Sequence, residues 1–399
     1  MPICKRRDTR RVTARRPRLG RLQPLLLRAL AAACAASQLV ACATLPSDGE
    51  EGSLPNAGAG PFREIAQAEL GSARAAPYVM DDDDHFTRDV SVVDLDGDPS
   101  TPAAAGFFAA TLRPEGAPED TPPDPLAPPS AIVRHDAADG RSFARAAATV
   151  LAPELDWEGG TVAAPSALRV GGEIWLYYAA AGGIGLARSA DGVTFAREPA
   201  PVLAPLAPGR AGWERGATPG SPGVVHLPDG SFRMFYEVPG DGGAPAIGEA
   251  RSDDGLAWER VGDGPALAPA PRPGAAAGAP DGDGEPFDSA AVLDPAPALA
   301  VSATGRPILR VYYTGRDGAG RSAIGLVARV GYDGPLQRAA APVFGASSAL
   351  APRAPSVVVY PGFSLLFVTQ AAGTRADQGY PAVAAGVAPA DAALPRPEP

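Results

Sequence analysis

Ile174-Trp175-Leu176-Tyr177-Tyr178, then Ile184-Gly185-Leu186-Ala187, then Ser189-Ala190-Asp191-Gly192-Val193-Thr194-Phe195: an aromatic run, a glycine-containing apolar run, and a turn that closes on an aromatic ring. Short β-branched and aromatic runs bounded by Gly, Pro and Asp are strand signals. Asp-Gly suits a tight hairpin, because Gly takes positive φ and the Asp side chain caps the turn. One such unit cannot bury its own apolar faces, so the question is whether it recurs.

It does. Downstream lie Phe232-Arg233-Met234-Phe235-Tyr236, Ile247-Gly248-Glu249-Ala250 and Ser252-Asp253-Asp254-Gly255-Leu256-Ala257-Trp258. A further copy is Leu309-Arg310-Val311-Tyr312-Tyr313, Ile324-Gly325-Leu326-Val327 and Asp333-Gly334. Looser copies hold Phe107-Phe108, Ala131-Ile132-Val133 and Asp139-Gly140 upstream, and Phe363-Ser364-Leu365-Leu366-Phe367 at the end. Each unit opens at a small motif with proline: Pro99-Ser100, Pro165-Ser166, Ser221-Pro222, Pro295-Ala296 and Pro355-Ser356, at intervals of 66, 57, 73 and 60 residues. Val150-Leu151-Ala152-Pro153, Val202-Leu203-Ala204-Pro205 and Ala266-Leu267-Ala268-Pro269 lead from one unit to the next. Five units of about four strands predict an all-β fold, a five-bladed β-propeller of mostly four-stranded antiparallel blades over residues 86–390, followed by a Pro-rich tail at 391–399.

The N-terminus reads as an export signal. Nine Lys and Arg residues lie between Lys5 and Arg21, and an apolar segment follows from Leu25 to Ala41. That segment is too short for a membrane span and ends in Leu39-Val40-Ala41-Cys42, which resembles a bacterial lipoprotein lipobox. The expectation is a signal peptide at 1–41, lipid attachment at Cys42 and a membrane partner reached through that lipid. Ala43, rather than Asp, after the cysteine favours the outer membrane in Gram-negative sorting, on a side the sequence leaves open. Removal of residues 1–41 leaves Cys42 as the only cysteine, so the exported part folds without an internal disulfide. From 42 to 85 the chain reads as an acidic flexible tether, with a short helix near Phe62 to Leu70, ending in Asp81-Asp82-Asp83-Asp84-His85.

The net charge is −10, and residues 1–41 carry ten Lys/Arg against Asp8, leaving −19 for the rest. Such acidity argues against nucleic acid as a partner. No pair among His85, His135 and His226 has metal-ligand spacing. Asp94-Leu95-Asp96-Gly97-Asp98 spaces oxygen ligands around a glycine as calcium would need, but no bidentate acid completes the loop, and an acidic turn is the favoured reading. No cofactor is expected.

The repeat pattern resembles the five-bladed propellers of glycoside hydrolase families 43 and 32, the arabinanase, levansucrase and invertase superfamily. The resemblance implies a sugar-binding funnel on the propeller axis, with a general-base Asp from the first blade, a tuning Asp from the second and a general-acid Glu from the third. Asp98-Pro99 fits the base position, Ala164-Pro165 and Ser221-Pro222 lack the expected acids, and Asp294-Pro295 carries one in the fourth blade. Candidate catalytic residues are therefore Asp98 with Asp294 or Glu214. A second acidic position recurs at Trp157-Glu158, Trp213-Glu214 and Phe287-Asp288. A ring beside an acceptor suits sugar recognition, so Trp157, Glu158, Trp213, Phe287 and Asp288 are candidate ligand contacts. Repetition in three blades equally fits a structural part of the repeat. Three functions remain open: glycan binding by a glycosidase-like propeller, glycoside hydrolysis, and a non-catalytic interaction scaffold.

Overall fold

The computed structural model describes residues 59–65, 85–95, 103–118, 127–138, 148–207, 212–239, 243–271, 285–302, 305–345, 351–360, 363–370 and 383–388, with a few single positions between them. The signal segment, Cys42, Asp98 and the tail lie outside the described residues. Within them there is no α-helix.

Strand β1, Arg63–Glu64, precedes the repeat. The first blade is β2 (His85–Asp94), β3 (Ala104–Leu112), β4 (Ala131–Ala137) and β5 (Ala148–Leu151). The second is β6 (Ala163–Val170), β7 (Glu173–Ala180), β8 (Gly183–Ser189) and β9 (Ala196–Arg197). The third is β10 (Gly220–His226), β11 (Phe232–Pro239), β12 (Pro245–Ser252) and β13 (Glu259–Arg260). The fourth is β14 (Ala291–Val301), β15 (Pro307–Arg316), β16 (Ser322–Val330) and β17 (Gln337–Arg338). The fifth takes β18 (Pro352–Tyr360), β19 (Phe363–Gln370) and β20 (Val383–Ala388) from the C-terminal end and β1 from the N-terminal end. All pairings within blades are antiparallel, and the innermost strands β2, β6, β10, β14 and β18 contact one another in a ring. The fold is the five-bladed propeller that the repeat predicts.

Each innermost strand carries a β-bulge at the same place. The ladder register shifts between Arg88 and Val90, Ala163 and Ser166, Gly220 and Gly223, Leu293 and Ala296, and Arg353 and Ser356. At each shift a non-glycine residue takes left-handed backbone: Asp89 (φ 53°), Ala164 (44°), Ser221 (39°), Asp294 (49°) and Ala354 (48°). A bulge leaves one residue out of the ladder and re-aims its side chain. A residue without a ladder partner needs no N–H, so proline follows the bulge in four blades. In the first blade the follower is Val90, so the unit opens at Asp89-Val90-Ser91 and the expected opening at Pro99-Ser100 is corrected.

Two residues past the bulge, serines join neighbouring blades. Ser91 Oγ accepts the Ala167 N–H at 2.9 Å, Ser166 Oγ that of Val224 at 3.0 Å, and Ser356 Oγ that of Val92 at 2.9 Å. In the third blade this place is Gly223, where a Cβ would stand 2.1 Å from the Pro295 carbonyl oxygen.

The aromatic and glycine strands interlock through a second device. Tyr178, Tyr236 and Tyr313 pair across strands with Gly185, Gly248 and Gly325. Each ring lies over its glycine so closely that a Cβ there would come within 2.4–2.5 Å of the ring's Cζ. The hydroxyls then reach Glu158 at 2.7 Å, Glu214 at 2.6 Å and Asp288 at 2.7 Å. An outer-strand arginine completes each group: Arg197 with Glu158 (3.1 Å), Arg260 with Glu214 (2.9 Å) and Arg338 with Asp288. These carboxylates are 0–1% exposed, and the acid, ring and cation satisfy one another.

The ring closes through a segment that the sequence reading assigns to the tether. Arg63 and Glu64 pair with Val387 and Gly386 as a strand, where a short helix is expected. Phe62 packs among Tyr312, Ile324 and Leu366, and Ile65 among Val90, Phe108 and Val387, so one short segment fills the seams on both sides of the fifth blade. Closing the open edge of β20 and burying two apolar side chains outweighs local helix preference. Phe62→Ala should lower the unfolding free energy of the full-length protein by about 3–5 kcal/mol, read by denaturant titration. A change within about 1 kcal/mol would show that β1 is dispensable for closure.

Candidate functional site

The five bulge residues converge on the propeller axis. Asp89, Ala164, Ser221, Asp294 and Ala354, with the residue that follows each, line a small cavity of about 40 Å³. Beneath it the same strands line a channel of about 80 Å³ that includes Ser91, Ser166 and Ser356. Small-ligand pockets run to ~300–1,000 Å³, so the axial cavity by itself is too small to enclose a ligand.

Two carboxyl groups, Asp89 and Asp294, line that cavity, and a third, Glu237, stands one strand behind it. Asp294 donates its N–H to Glu237 Oε2 at 3.4 Å, and its own Oδ2 accepts the Ala354 N–H at 3.2 Å, a donor shared with Thr314 Oγ1 at 3.0 Å. Asp89 donates its N–H to Thr369 Oγ1 of the fifth blade at 3.0 Å. Arg353, from the same blade, places Nη2 3.9 Å from Asp89 Oδ1, with side-chain exposures of 39% for Arg353 and 23% for Asp89. Arg88 adds a second positive charge nearby and is held by the Thr111 hydroxyl at 3.1 Å.

Glu237 enters from the second strand of the third blade, where the bulge brings it opposite Gly220. The matching positions in the other blades are Ala109, Ala179, Thr314 and Thr369, facing Arg88, Ala163, Leu293 and Arg353. Only the third blade puts a charge there.

Burial governs the electrostatics. Desolvation pushes the Glu237 carboxyl up to about 8, and the neighbouring Asp294 charge adds to the rise. Desolvation also lifts Asp89, to about 6, with Arg353 pulling it down and Asp294 pushing it up. Two carboxyl groups beside one axis thus titrate apart, one on each side of neutrality. That is the condition for one to work as a base and the other as an acid.

Of the catalytic residues expected from sequence, Asp294 belongs to this group and Glu214 does not: it is buried against Tyr236 and Arg260 in the body of the third blade. Asp98 lies outside the described residues, and the first-blade acid on the axis is Asp89. The expected ligand contacts lie in the body of the blades and not on the axis. Trp157 stacks on Tyr178 at 6.0 Å and Phe287 on Tyr313 at 6.2 Å, while Trp213 packs within the core between the second and third blades. Glu158 and Asp288 are enclosed with Tyr and Arg partners. These residues are held in the framework of the repeat, and Phe287 and Asp288 also line an open cavity of about 1010 Å³.

Asp89 and Glu237 escape the sequence reading for different reasons. Asp89 lacks the following proline that marks the other four bulges, and Asp98-Pro99 imitates the motif nine positions later. Glu237 follows an aromatic run whose register against the bulge is invisible without the pairing. Its one legible mark is an acid in a strand that, Arg233 apart, is otherwise apolar. Among the described residues no cluster of His, Cys, Asp and Glu is arranged to hold a metal ion.

No family model matches the sequence, and no curated protein resembles it in sequence. Solved structures do resemble the fold. A glycosyl hydrolase from Bacteroides ovatus is 15% identical over 85% of this chain and 97% of its own, with a TM-score of 0.55. A structure from a study of GH130-family mannoside phosphorylases, said to contain glycoside hydrolases that target β-1,2-mannosidic linkages in Candida mannan, is 14% identical over 86% of this chain and 98% of its own (TM-score 0.55). The endo-arabinase of Bacteroides thetaiotaomicron is 12% identical over 78% and 96%, with a TM-score of 0.50. The chain is similar to these glycosidase-type propellers in fold.

Proposed function

We propose that the protein is an exported, lipid-anchored glycoside hydrolase that works at the axial carboxyl cluster. The observation that carries this reading is Asp89 on the axial cavity and Glu237 one strand behind it, against Asp294, with acidities pushed to about 6 and about 8. At neutral pH Asp89 is ionised and can take a proton from an attacking water, while Glu237 keeps a proton that the departing glycosidic oxygen needs. Base from the first blade and acid from the third is also the division that the family resemblance implies. Asp294, between them, tunes both through its charge, and Arg353 holds Asp89 in its ionised form. Glycan binding without turnover is the second reading, favoured by Ala164, which leaves the second blade without the acid that the resemblance expects there.

The full-length protein, purified in detergent, should release sugar from a panel that includes mannan, arabinan and other plant and microbial polysaccharides. Asp89→Asn and Glu237→Gln should each cut the rate by about 10²–10⁴-fold. The rate should rise through about pH 6 as Asp89 ionises and fall through about pH 8 as Glu237 loses its proton, the two limbs belonging to the coupled cluster. Binding to a glycan with no release would support the second reading, and neither binding nor release would leave an interaction scaffold.

Stability offers a check that needs no substrate. Both groups hold protons more tightly folded than unfolded, so their favourable contribution is complete below about pH 4 and declines as pH rises through about 6 and about 8. Asp89→Asn and Glu237→Gln should therefore raise the Tm at pH 8–9 relative to wild type and leave it little changed near pH 4. Equal effects at both pH values would show that neither carboxyl is perturbed.

The anchoring rests on Leu39-Val40-Ala41-Cys42. Cys42→Ser should abolish incorporation of labelled palmitate and move the protein from the membrane to the soluble fraction in a Gram-negative host. Unchanged fractionation without label in wild type would overturn it.

A further inference from the structure

We propose that a cavity on the fourth blade is a second saccharide site, which holds a neutral stretch of the same glycan that reaches the axis. The inference rests on the reading of the protein as glycan-acting and names a place of binding that the axis does not supply. The cavity, of about 1010 Å³, is lined by Phe287 ahead of β14, by Asp317 and Arg321 in the turn between β15 and β16, and by Arg338 and Ala341 at and beyond β17. Small-ligand pockets run to ~300–1,000 Å³, so it has the capacity that the axial cavity of about 40 Å³ lacks. The two cavities share no lining residue, yet Ala351 belongs to one and Ala354 to the other. Three residues of chain span at most about 11 Å, so one extended glycan reaches both.

Comparison of the blades shows how the room arises. In the second blade Trp157 lies over the two-residue turn Ala181-Gly182, where a Cβ on Gly182 would stand 3.3 Å from the indole Cε3. In the fourth blade the smaller Phe287 takes that place, lying over Gly315 and Gly325 and stacked on Tyr313 at 6.2 Å. The turn there has five residues, Asp317 to Arg321, between the paired Arg316 and Ser322. Asp317 braces it: Oδ1 accepts the N–H of Ala319 at 3.0 Å and of Arg321 at 2.9 Å, and Oδ2 accepts the Arg321 Nε–H at 2.7 Å. Glu285 Oε1 accepts the Gly318 N–H at 3.2 Å and so ties the turn to the segment before β14. The longer turn thus stands as a fixed wall beside the smaller ring.

The lining selects the ligand by its charge balance. Phe287, Pro286, Pro342 and a row of alanines offer apolar surface to the C–H faces of a sugar. Asp288 is answered by Arg338, Asp317 by Arg321, and Glu285 by the Gly318 N–H and the Ser289 hydroxyl. Each of these charges has its partner inside the wall, so an ionic ligand would lose its hydration with little in return. A neutral chain of hydroxyls leaves the pairs intact and still finds donors and acceptors on them. Arg321, with its side chain 79% exposed, sets a guanidinium at the rim for that purpose.

Calorimetric titration of the full-length protein in its Asp89→Asn form, which stops turnover, reads the site directly. The probes are mannan- and arabinan-derived oligosaccharides of two to six units. Affinity should grow about tenfold or more from two units to six. Ala341→Trp, which adds a ring at an exposed position of the lining, and Arg321→Ala should each weaken six-unit binding by about tenfold. Thermal melts identify folded variants, and Arg321→Ala, at an exposed side chain, keeps the test open if the added ring disturbs folding. Raising NaCl from 50 to 500 mM should change the affinity by less than about twofold, as a neutral ligand requires. Six-unit affinity unchanged in both variants would overturn the site and leave hydrolysis on the axis standing. No binding of any probe would overturn it as well. Cavity-dependent binding by a wild-type protein that releases no sugar would sustain the site and overturn the hydrolase reading.

Discussion

Five non-glycine residues held in left-handed backbone govern the rest of this molecule. An L-residue in that region costs about 1–2 kcal/mol, and the propeller bears that cost at the bulge of every blade, at Asp89, Ala164, Ser221, Asp294 and Ala354. The strain persists because the surroundings over-determine it. Serine hydroxyls two residues on tie neighbouring inner strands together, and the Gly223 backbone packs against the Pro295 carbonyl where a serine is missing. A bulge in a strand locked on both sides has one direction left for its side chain, the axis. The same device that closes the ring thus presents five side chains to one point.

What occupies those five places departs from the symmetry of the frame. The frame itself repeats: Tyr over Gly, Tyr hydroxyl to a buried acid, acid to an outer-strand Arg, in three successive blades. The axis reads Asp, Ala, Ser, Asp, Ala, and behind it a single Glu237 stands where the other blades carry Ala or Thr. Burial then separates the acidities of groups that are chemically alike. Structure lives in what the blades share, and the chemistry lies where they differ.

That division also sets how much could be read from the chain. Runs such as Ile174–Tyr178 and the Asp-Gly turns reveal the blades because each blade repeats them. The Asp191 and Asp254 carboxylates indeed cap their turns, each accepting two backbone N–H groups at 2.8–2.9 Å. The Trp157-Glu158 type of pair is equally legible as a repeat, and it proves to be internal scaffolding. Asp294 could be found because proline follows it. Asp89 could not, since Val90 stands where proline marks the other bulges. Glu237 depends on a register offset of one residue, which no pattern of residue types encodes. The segment Phe62-Arg63-Glu64-Ile65 reads as part of a short helix in a tether, and becomes a strand only when the distant edge at Gly386 and Val387 arrives to receive it.

That distance has a kinetic meaning. Arg63 pairs with Val387, so one of the earliest ordered segments to leave the ribosome waits for nearly the last. Closing so long a loop carries a large entropic penalty that only complete blades can offset, which makes ring closure the late event of folding. Until then β20 shows an unpaired edge, and the seams later filled by Phe62 and Ile65 stay open to solvent. The protein is therefore most exposed to aggregation and proteolysis between synthesis of its last blade and capture of its first strand. In that interval an unrelated chain that bears a short apolar-flanked strand would compete for the same edge.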